Sequence, residues 1–463
     1  MTLEEVLATR PTPGRPRGYT FPSFERSILP SGLQVLTVHV PGRPLISANV
    51  VVRRGAADEP AELAGATALA ARAMTEGTAR YPGVEVVEAA ERLGTTINVQ
   101  AGWDSFTAGV EVTAARLGPA LELLDEVLRR PTFPADDVAR LREERLNDLM
   151  QLRAEPRRRV DWAFVETIYT RQSPYARLLG GKEATVRGLG REELAGVHTA
   201  LLDPRRAAVV VGGDLTGLDV PQLILDQLGE YAAGSGSGSA SPAEVSAPEA
   251  TAAVDRRVVR LVDRPGSVQS EIRIGHVGLP RRVPDFHAVQ VMNSILGGLF
   301  NSRLQLNLRE TKGYTYGVGS SFDMRRGAGP FSVRTAVQSA VTVPAITEAL
   351  GELERMRDGQ VTPAELASAR DYLVGVFPLR FEVPSAVVGA VGGLFAFGLP
   401  DDELARYRGC VEAVDVAAVR KAARDHLHTD RLAIVVVGDA AVVAGDLEAA
   451  GLGEFELVAE EDV

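Results

Sequence analysis

Cysteine is almost missing from this sequence of 463 residues, in which Cys410 is the single thiol. With one cysteine no intrachain disulfide is possible, and no cluster of thiolates is available to hold zinc. A lone thiol is consistent with a reducing compartment, where disulfides are rare. Because free cysteine is commonly buried, we interpret Cys410, which lies in a predicted helix, as an inert and partly buried side chain.

Histidine is also scarce, and the six histidines are scattered along the chain. His426 and His428 lie close together just before a predicted strand, but zinc normally requires three or four protein ligands. We interpret them as polar residues at the C-terminal end of a helix, where positive charge is favoured. The sequence also lacks a P-loop and a Gly-x-Ser-x-Gly nucleophile turn, which excludes the chemistries that depend on those motifs.

Long apolar runs and an excess of positive charge are absent too. No run approaches the roughly 20 apolar residues of a membrane-spanning helix. The first residues lack the basic and apolar pattern of a secretory signal. The formal net charge of -11 argues against nucleic-acid binding, which needs a basic surface. We therefore expect a cytoplasmic protein without a membrane span, whose length is enough for more than one domain.

A segment rich in Gly, Ser and Ala, residues 232–253, divides the chain into two similar halves and predicts a flexible linker. The first half ends in "DPRRAAVVVGGDL" and the second in "TDRLAIVVVGDAA", each a β-branched run closed by Gly-Asp. This similarity indicates an internal duplication. The predicted division is an N-terminal extension (1–23), a first domain (24–231), the linker, a second domain (254–445) and an acidic C-terminal tail (446–463).

Each half alternates paired strands with runs of helices. In the first half, the strands "LQVLTVHV" and "LISANVVVRR" precede predicted helices at about 62–76 and 83–93, and two more strands and three helices follow. The second half has predicted strands near 269–278, 314–323 and 328–337. This order predicts an α+β fold of two homologous α/β sandwich domains, each an antiparallel-rich mixed sheet covered by helices, rather than a doubly wound parallel sheet.

An ordered set of short motifs resembles the pitrilysin/insulinase superfamily of inverzincin peptidases. The motifs are "LPSGLQVLTV", "VRRGAADEP", "EGTARYPG", "ERLGTTINVQAGWDSFT", "LFNSRLQLNLRETKGYTYGVGSSF" and "GLPDDELARY". They run from about residue 24 to residue 440, and they most resemble the short members, which include mitochondrial processing peptidase. Each motif is weak alone, but their order along nearly the whole chain is specific.

The zinc motif of that superfamily is missing. Active members carry His-x-x-Glu-His on one helical face, where the histidines bind zinc and the glutamate acts as general base. Alignment on Gly77-Thr78 places Ala68, Ala71 and Arg72 at these positions, and the motif occurs nowhere else. The third ligand, a glutamate from a later helix, best matches Asp148, for which a solvated helix residue is an equally good interpretation. The resemblance therefore implies no metal and no catalytic residue in this chain.

A second motif of the superfamily is intact. In active members an Arg and a Tyr of the C-terminal domain bind the substrate backbone near the metal, and "LRETKGYTYG" places Arg309 and Tyr316 at those positions. Both side chains can donate hydrogen bonds to a peptide carbonyl and to a developing oxyanion. Without the surrounding motif, the plainer interpretation would be a solvated Arg and a packed Tyr.

Loss of the first motif with retention of the second resembles the non-catalytic subunit of a heterodimeric zinc metallopeptidase. The resemblance implies a homologous partner that carries the zinc, and unfolded or short peptides as substrates. A structural or peptide-binding scaffold without proteolysis is the alternative. An independent hydrolase with a rebuilt metal site is the third possibility.

Overall fold

The computed structural model describes residue 14 and residues 17–233 and 240–459. The most Gly- and Ser-rich part of the predicted linker, residues 234–239, lies outside the described residues, as do residues 1–13, 15–16 and 460–463. The described residues form two six-stranded mixed sheets, one in each half of the sequence. The strands are β1 (Phe24–Ile28), β2 (Gln34–His39), β3 (Leu45–Val52), β4 (Asn98–Ala101), β5 (Phe106–Thr113), β6 (Ala207–Gly213), β7 (Val258–Asp263), β8 (Gln269–Val277), β9 (Val318–Phe322), β10 (Pro330–Gln338), β11 (Ala433–Gly438) and β12 (Glu454–Val458).

Helices cover both sheets. The α-helices of the first half are α1 (Ala66–Ala73), α2 (Glu85–Arg92), α3 (Leu117–Arg129), α4 (Ala135–Ala154), α5 (Pro156–Ile168), α6 (Glu183–Val186), α7 (Arg191–Leu201) and α8 (Val220–Ala233). Those of the second half are α9 (Phe286–Asn293), α10 (Thr342–Asp358), α11 (Pro363–Val376), α12 (Pro384–Phe397), α13 (Glu403–Ala413), α14 (Val416–His426) and α15 (Ala440–Ala449). Two π-helical segments, Ser294–Gly298 and Gln305–Thr311, follow α9.

The two sheets share one topology in five of their six strands. The first has the order β1-β2-β6-β3-β5-β4 and the second the order β12-β7-β11-β8-β10-β9. The sixth strand differs, because β1 runs antiparallel to β2 whereas β12 runs parallel to β7. The predicted α+β class with two homologous domains is confirmed.

The central strands β6 and β11 contain the two β-branched runs that marked the duplication. Each pairs in parallel with one neighbour and antiparallel with the other, and every residue of both strands is buried. A strand covered on both faces needs a continuous apolar run rather than an alternating one. The sequence pattern of these strands is therefore a direct consequence of their place in the sheet.

Each half contributes one helix to the sheet of the other. Helix α5 of the first half packs on β8 and β11, and its Phe164 belongs to the same buried cluster as Val435 and Val437. Helix α12 of the second half packs on β3 and β6, close enough that a Cβ built on Gly212 would lie 2.7 Å from Val388 Cγ2. This reciprocal exchange makes the hydrophobic core of each domain depend on the other domain.

Among the helices of the described ranges, no single helix combines the length and apolar composition that crossing a membrane requires. The segments Pro363–Phe381 and Pro384–Phe397 reach that length and composition only as a pair, with a bend of 113° between them.

The described part of the predicted linker is held along the first domain. Ala232, the first residue of the predicted linker, is buried and still belongs to α8. Beyond the gap, the Ala240 N–H donates to the Pro30 carbonyl at 2.9 Å. At the far end, the Ala253 N–H donates to the Ile168 carbonyl at 2.9 Å. Residues 240–253 thus differ from the free tether that composition predicts.

The C-terminal segment also differs from the expectation of a tail. Residues 446–458 include the end of α15 and the edge strand β12, which pairs with β7 over five residues. Val458 is buried. The second domain therefore extends at least to residue 458.

A loop of the second half docks on the first half. Arg326, between β9 and β10, donates to both carboxylate oxygens of Asp58, at 2.8 and 2.9 Å. Its backbone N–H donates to Asp104 Oδ2 at 2.8 Å, and the Tyr175 hydroxyl donates to Asp104 Oδ1 at 2.7 Å. Because Arg326 and Asp104 are almost fully buried, these charges depend on each other for their satisfaction.

Candidate functional site

Helix α1 carries the positions that would hold the metal, and a buried carboxylate fixes its first turn. Glu59 accepts hydrogen bonds from the Gly65 N–H at 2.7 Å and from the Thr67 N–H at 3.0 Å. The Thr67 hydroxyl donates to the same carboxylate at 2.8 Å. These bonds satisfy backbone donors at a helix N-terminus that would otherwise be unpaired. Burial nevertheless raises the pKa of Glu59, because desolvation outweighs the hydrogen bonds.

The metal-ligand positions on α1 hold two alanines and an arginine. Ala68 is half-buried, Ala71 is buried and Arg72 is exposed. Arg72 Nη2 donates to Glu144 Oε2 on α4 at 2.7 Å. Hydrogen bonds from Arg140 and then from Arg72 hold the pKa of Glu144 below its usual range. An ion pair with α4 therefore engages the α1 side chain at one of the positions that the resemblance assigns to a metal ligand.

Arg140 extends this ion pair into a ladder. Its guanidinium donates to Glu144 at 2.7 Å, to Glu76 at 2.7 Å and to Asp137 at 3.2 Å. Glu76 lies just after α1, which ends at Ala73. Three carboxylates of this surface thus converge on the guanidinium of Arg140, which occupies the place that a cation would need.

Asp148, the position predicted for the third ligand, lies one helical turn beyond Glu144 on α4. Its carboxylate pairs with Arg145 and with Arg158, the latter at 2.9 Å. The hydrogen bond from Arg158 is the main cause of a lowered pKa of Asp148. The carboxylate that contacts Arg72 is Glu144, which sequence reasoning missed. Glu144 lies four residues before Asp148 on the same helical face, and this spacing is the feature of the sequence that could have identified it.

This donor set does not fit zinc. Tetrahedral zinc sites need nitrogen, sulfur or carboxylate ligands directed at one point, and a guanidinium cannot act as a ligand because it has no free lone pair. Within residues 17–233 and 240–459 no group of three or more His, Cys, Asp or Glu side chains is arranged to hold a metal.

Arg309 and Tyr316 lie on the accessible surface of the second half. Arg309 belongs to the π-helical segment Gln305–Thr311, which is anchored by the buried Leu308. Its guanidinium carbon lies 4.5 Å from the centroid of the Phe300 ring, and its nearest carboxylate, Glu310, is 3.7 Å away. Phe300 is itself 71% exposed. A cation stacked on an exposed ring, with only a weak ion pair, keeps free donors for a ligand.

The turn that carries Tyr316 is defined by its neighbours. Gly313 has a φ of 66°, a left-handed conformation that favours glycine, and the chain then returns along β9. The Thr315 hydroxyl donates to the Ala336 carbonyl at 2.8 Å. Tyr314 packs against the core, whereas Tyr316 points away from it and is 99% exposed. An exposure this high is unusual for a tyrosine, which is ordinarily part-buried.

The two sets of residues are fixed by different halves of the chain. Arg72 is held by α4, whereas the contacts of Arg309 come from the second half. In the described parts of the chain no hydrogen bond or ion pair joins the Ala68, Ala71 and Arg72 positions to Arg309 or Tyr316. Each set is therefore positioned independently of the other.

A two-domain fold of this topology, with the altered metal positions on α1 and the Arg/Tyr pair in the second half, defines a peptidase-like scaffold. The family model described as "Insulinase (Peptidase family M16)" matches residues 34–181 of this chain, and the family model described as "Peptidase M16 inactive domain" matches residues 188–373. The chain belongs to this insulinase, or M16, family, as the motifs predicted.

This chain is similar to relatives and to solved structures along most of its length. An uncharacterized zinc protease of Mycobacterium leprae is 25% identical over 371 residues, covering 79% of this chain and 81% of the relative. A "Non-peptidase homolog" of Helicobacter pylori is 21% identical over 347 residues, covering 73% and 76%.

Among solved structures, a peptidase M16 inactive domain from Pseudomonas fluorescens has a TM-score of 0.81 and 23% identity, with 90% of this chain and 98% of that chain covered. A protease from Helicobacter pylori has a TM-score of 0.81 and 18% identity, with 91% and 100% covered. These likenesses establish the shared two-domain fold.

Proposed function

We propose that this protein is the non-catalytic subunit of a heterodimeric zinc metallopeptidase. It supplies walls of the substrate chamber, and its Arg309 and Tyr316 bind peptide in the active site of a homologous partner. The chain holds no metal of its own and is inactive alone, and the partner carries zinc on an intact His-x-x-Glu-His helix. The substrates are unfolded or short peptides, and the complex is cytoplasmic.

The observation that carries this proposal is the contrast between the two sets of residues. The metal positions hold Ala68, Ala71 and Arg72, and Arg72 is neutralised by Glu144. The Arg/Tyr pair, by contrast, is accessible and lightly engaged. A chain that has lost the metal chemistry gains nothing from an exposed Tyr316 unless another molecule contacts it.

The chemistry of the pair suits this role. The Arg309 guanidinium and the Tyr316 hydroxyl both donate hydrogen bonds, so they can bind a peptide carbonyl and stabilise the oxyanion that develops from it. Zinc in the partner would activate the water that attacks this carbonyl. The names of relatives support both parts, since some are called zinc proteases and one a non-peptidase homolog.

Co-expression with a similar-length homologue that carries the zinc motif tests the proposal. We expect a stable complex with peptidase activity that neither chain shows alone. Tyr316→Phe removes one hydroxyl and Arg309→Ala removes the guanidinium, and each should lower kcat/KM by about a hundredfold to a thousandfold, as loss of an oxyanion donor does. The matched control is Tyr372→Phe, since Tyr372 is also exposed but lies outside the motif.

Two results would contradict the assignment. Activity of both variants equal to wild type, in an intact complex, would remove the proposed roles of Arg309 and Tyr316. Loss of complex formation in either variant would indicate an assembly role instead, which gel filtration of the mixed chains distinguishes from loss of chemistry.

A scaffold without proteolysis is the second candidate, and the relative named a non-peptidase homolog favours it. A genome that encodes no homologue with the zinc motif would support this function, and an adjacent gene for such a homologue would oppose it. A rebuilt metal site in this chain is tested by elemental analysis, in which stoichiometric zinc in the purified chain would overturn the proposal.

A further inference from the structure

A cavity of about 560 Å³ lies where the two halves and the linker meet, and three arginines line it. We call it the arginine cavity. Its wall consists of Arg53, Arg282 and Arg326, linker residues 244–247, and Ala396, Phe397 and Gly398 at the C-terminal end of α12. Neither Arg72 nor Arg309 lines it, so it belongs to neither set of residues discussed above.

Arg53 and Arg282 converge from different elements. Arg53 follows β3, and its Nε donates to the Phe395 carbonyl at 2.7 Å while its guanidinium carbon lies 4.7 Å from the Phe395 ring centroid. Gly398 ends α12 with a φ of 62°. A Cβ built on Gly398 would lie 2.6 Å from Arg53 Nη2 and 4.0 Å from Arg282 Nη1. Both guanidinium groups therefore approach the same stretch of main chain, which has no side chain to fill the space.

The charges of this cavity are not balanced. Neither Arg53 nor Arg282 has an ion-pair partner among the residues that the structure describes. Arg326 is paired with Asp58 and its Nε lies 4.0 Å from Asp104 Oδ1, so it is compensated, although that Nε is buried without a hydrogen-bond acceptor. Glu244, which is exposed, is the one carboxylate in the described lining. Burial, together with repulsion from neighbouring arginines, lowers the pKa of Arg53, as expected for a cation without a counter-charge.

We propose that the arginine cavity binds a phosphate-type oxyanion. Guanidinium groups bind phosphate oxygens through strong, directional hydrogen bonds. One carboxylate can be satisfied by a single guanidinium in a bidentate pair, whereas two guanidinium groups on separate elements match the several oxygens of a multivalent anion. The ligand would contact the end of β3, the end of α12 and the linker, and so would bridge the two halves. This site does not depend on the proposed peptidase role.

Calorimetric titration of the full chain tests the site, with ionic strength held constant by chloride. The probes are inorganic phosphate, pyrophosphate and glycerol 3-phosphate, which separate a free inorganic anion from a phosphomonoester. We expect saturable binding of at least one probe. Arg282→Ala should weaken it by about tenfold or more, as loss of a charge-assisted hydrogen bond does. Glu244→Gln should strengthen it, because it removes a like charge.

The control is Arg171→Ala, since Arg171 is also exposed and has no ion pair in the described parts of the chain. It loses the same charge away from the cavity and should bind the probes as wild type does. Circular dichroism of each variant checks folding. The proposal is overturned by absence of saturable binding, by an unchanged affinity in Arg282→Ala, or by an equal loss in Arg171→Ala. Acetate is titrated in the same way as a carboxylate probe, and an affinity for acetate equal to that for phosphate also overturns the proposal.

Discussion

Single residues on α1 explain why the positions aligned with the zinc motif do not fit zinc, while the helix itself is intact. Alanine is the best helix former, so Ala68 and Ala71 maintain the helix at positions where the resemblance places the side chains of the zinc motif. Arg72 introduces a positive charge at the third position, and Glu144 on α4 compensates it. This exposed pair contributes little to stability. Its importance is electrostatic, because a fixed cation at this position opposes the binding of a divalent metal.

Another residue-scale property is a buried neutral histidine, His276 on β8. Burial lowers its pKa from 6.5 to about 4, while its Nδ1 bonds the Val277 carbonyl and its ring lies 4.8 Å from that of His428. Burial lowers the pKa of His428 as well, and of the charged residues around both rings Arg431 lowers these pKa values whereas Asp430 raises them. The folded state therefore excludes a proton that the unfolded chain accepts.

We predict that stability falls as the pH decreases from 6.5 to about 4. A folded-state pKa below the unfolded value means that the unfolded chain binds more protons in this window, so the stabilisation is complete above pH 6.5 and is lost toward pH 4. The shift corresponds to on the order of 3 kcal/mol. Urea unfolding across this range should show a smaller slope with pH for His276→Gln than for wild type. The exposed His39→Gln is the control, and equal slopes in all three proteins would refute the role of His276.

At the scale of elements, the exchanged helices α5 and α12 connect the two cores. Phe164 of α5 is 3% exposed and lies against the second sheet, where a Cβ built on Gly275 would be 2.9 Å from its ring. A side chain of the first half thus fills a space in the second. A substitution that weakens this contact should therefore destabilise both domains.

We predict that Phe164→Ala lowers the free energy of unfolding by about 3–5 kcal/mol, as other buried phenylalanine truncations do. Because the contact belongs to both domains, both should unfold in one transition at a lower denaturant concentration. Met150→Ala, which removes an exposed side chain of α4, should change little. Far-ultraviolet circular dichroism during denaturation measures both variants. A loss below about 1 kcal/mol would show that the helix is only loosely attached.

The central strands were predictable from the sequence, because they are β-branched runs bounded by turns. The strand expected at 269–278 is Gln269–Val277, and the run that ends the second half is β11. Strand β12 was missed because "EFELV" is a short edge strand whose acidic residues give it the composition of a tail. The exchange of α5 and α12 could not be predicted, since the sheet that a helix covers is decided by long-range packing.

The candidate site was predictable only in part. Family motifs locate Ala68, Ala71 and Arg72 because their spacing on a helix is fixed. They place Asp148 at the position of the third ligand, which stays a prediction, but they do not determine how α4 is rotated, and so they did not indicate that Glu144 contacts Arg72. The arginine cavity was not predictable, because it is assembled from five segments that are distant in sequence.

At the scale of the whole molecule, the two halves form one unit held by apolar and charged contacts. The exchanged helices supply the apolar part, and the buried Arg326 with Asp58 and Asp104 supplies the charged part. Removal of one member of such a buried pair is costly, because its partner is left uncompensated. The covalent link through residues 234–239 is only one of several connections between the halves.

We therefore predict that the halves stay together after the linker is cut. A specific protease site placed within residues 234–239 and then cleaved should give two fragments on a denaturing gel but one species of unchanged size in native gel filtration. The physical reason is that separation would expose α5, α12 and the sheet faces that they cover, together with the Arg326 pair. The same cleavage in Phe164→Ala should promote dissociation on dilution, because part of that apolar contact is gone. Two separate native species from the cut wild-type chain would show that the linker, and not the exchange of helices, holds the molecule together.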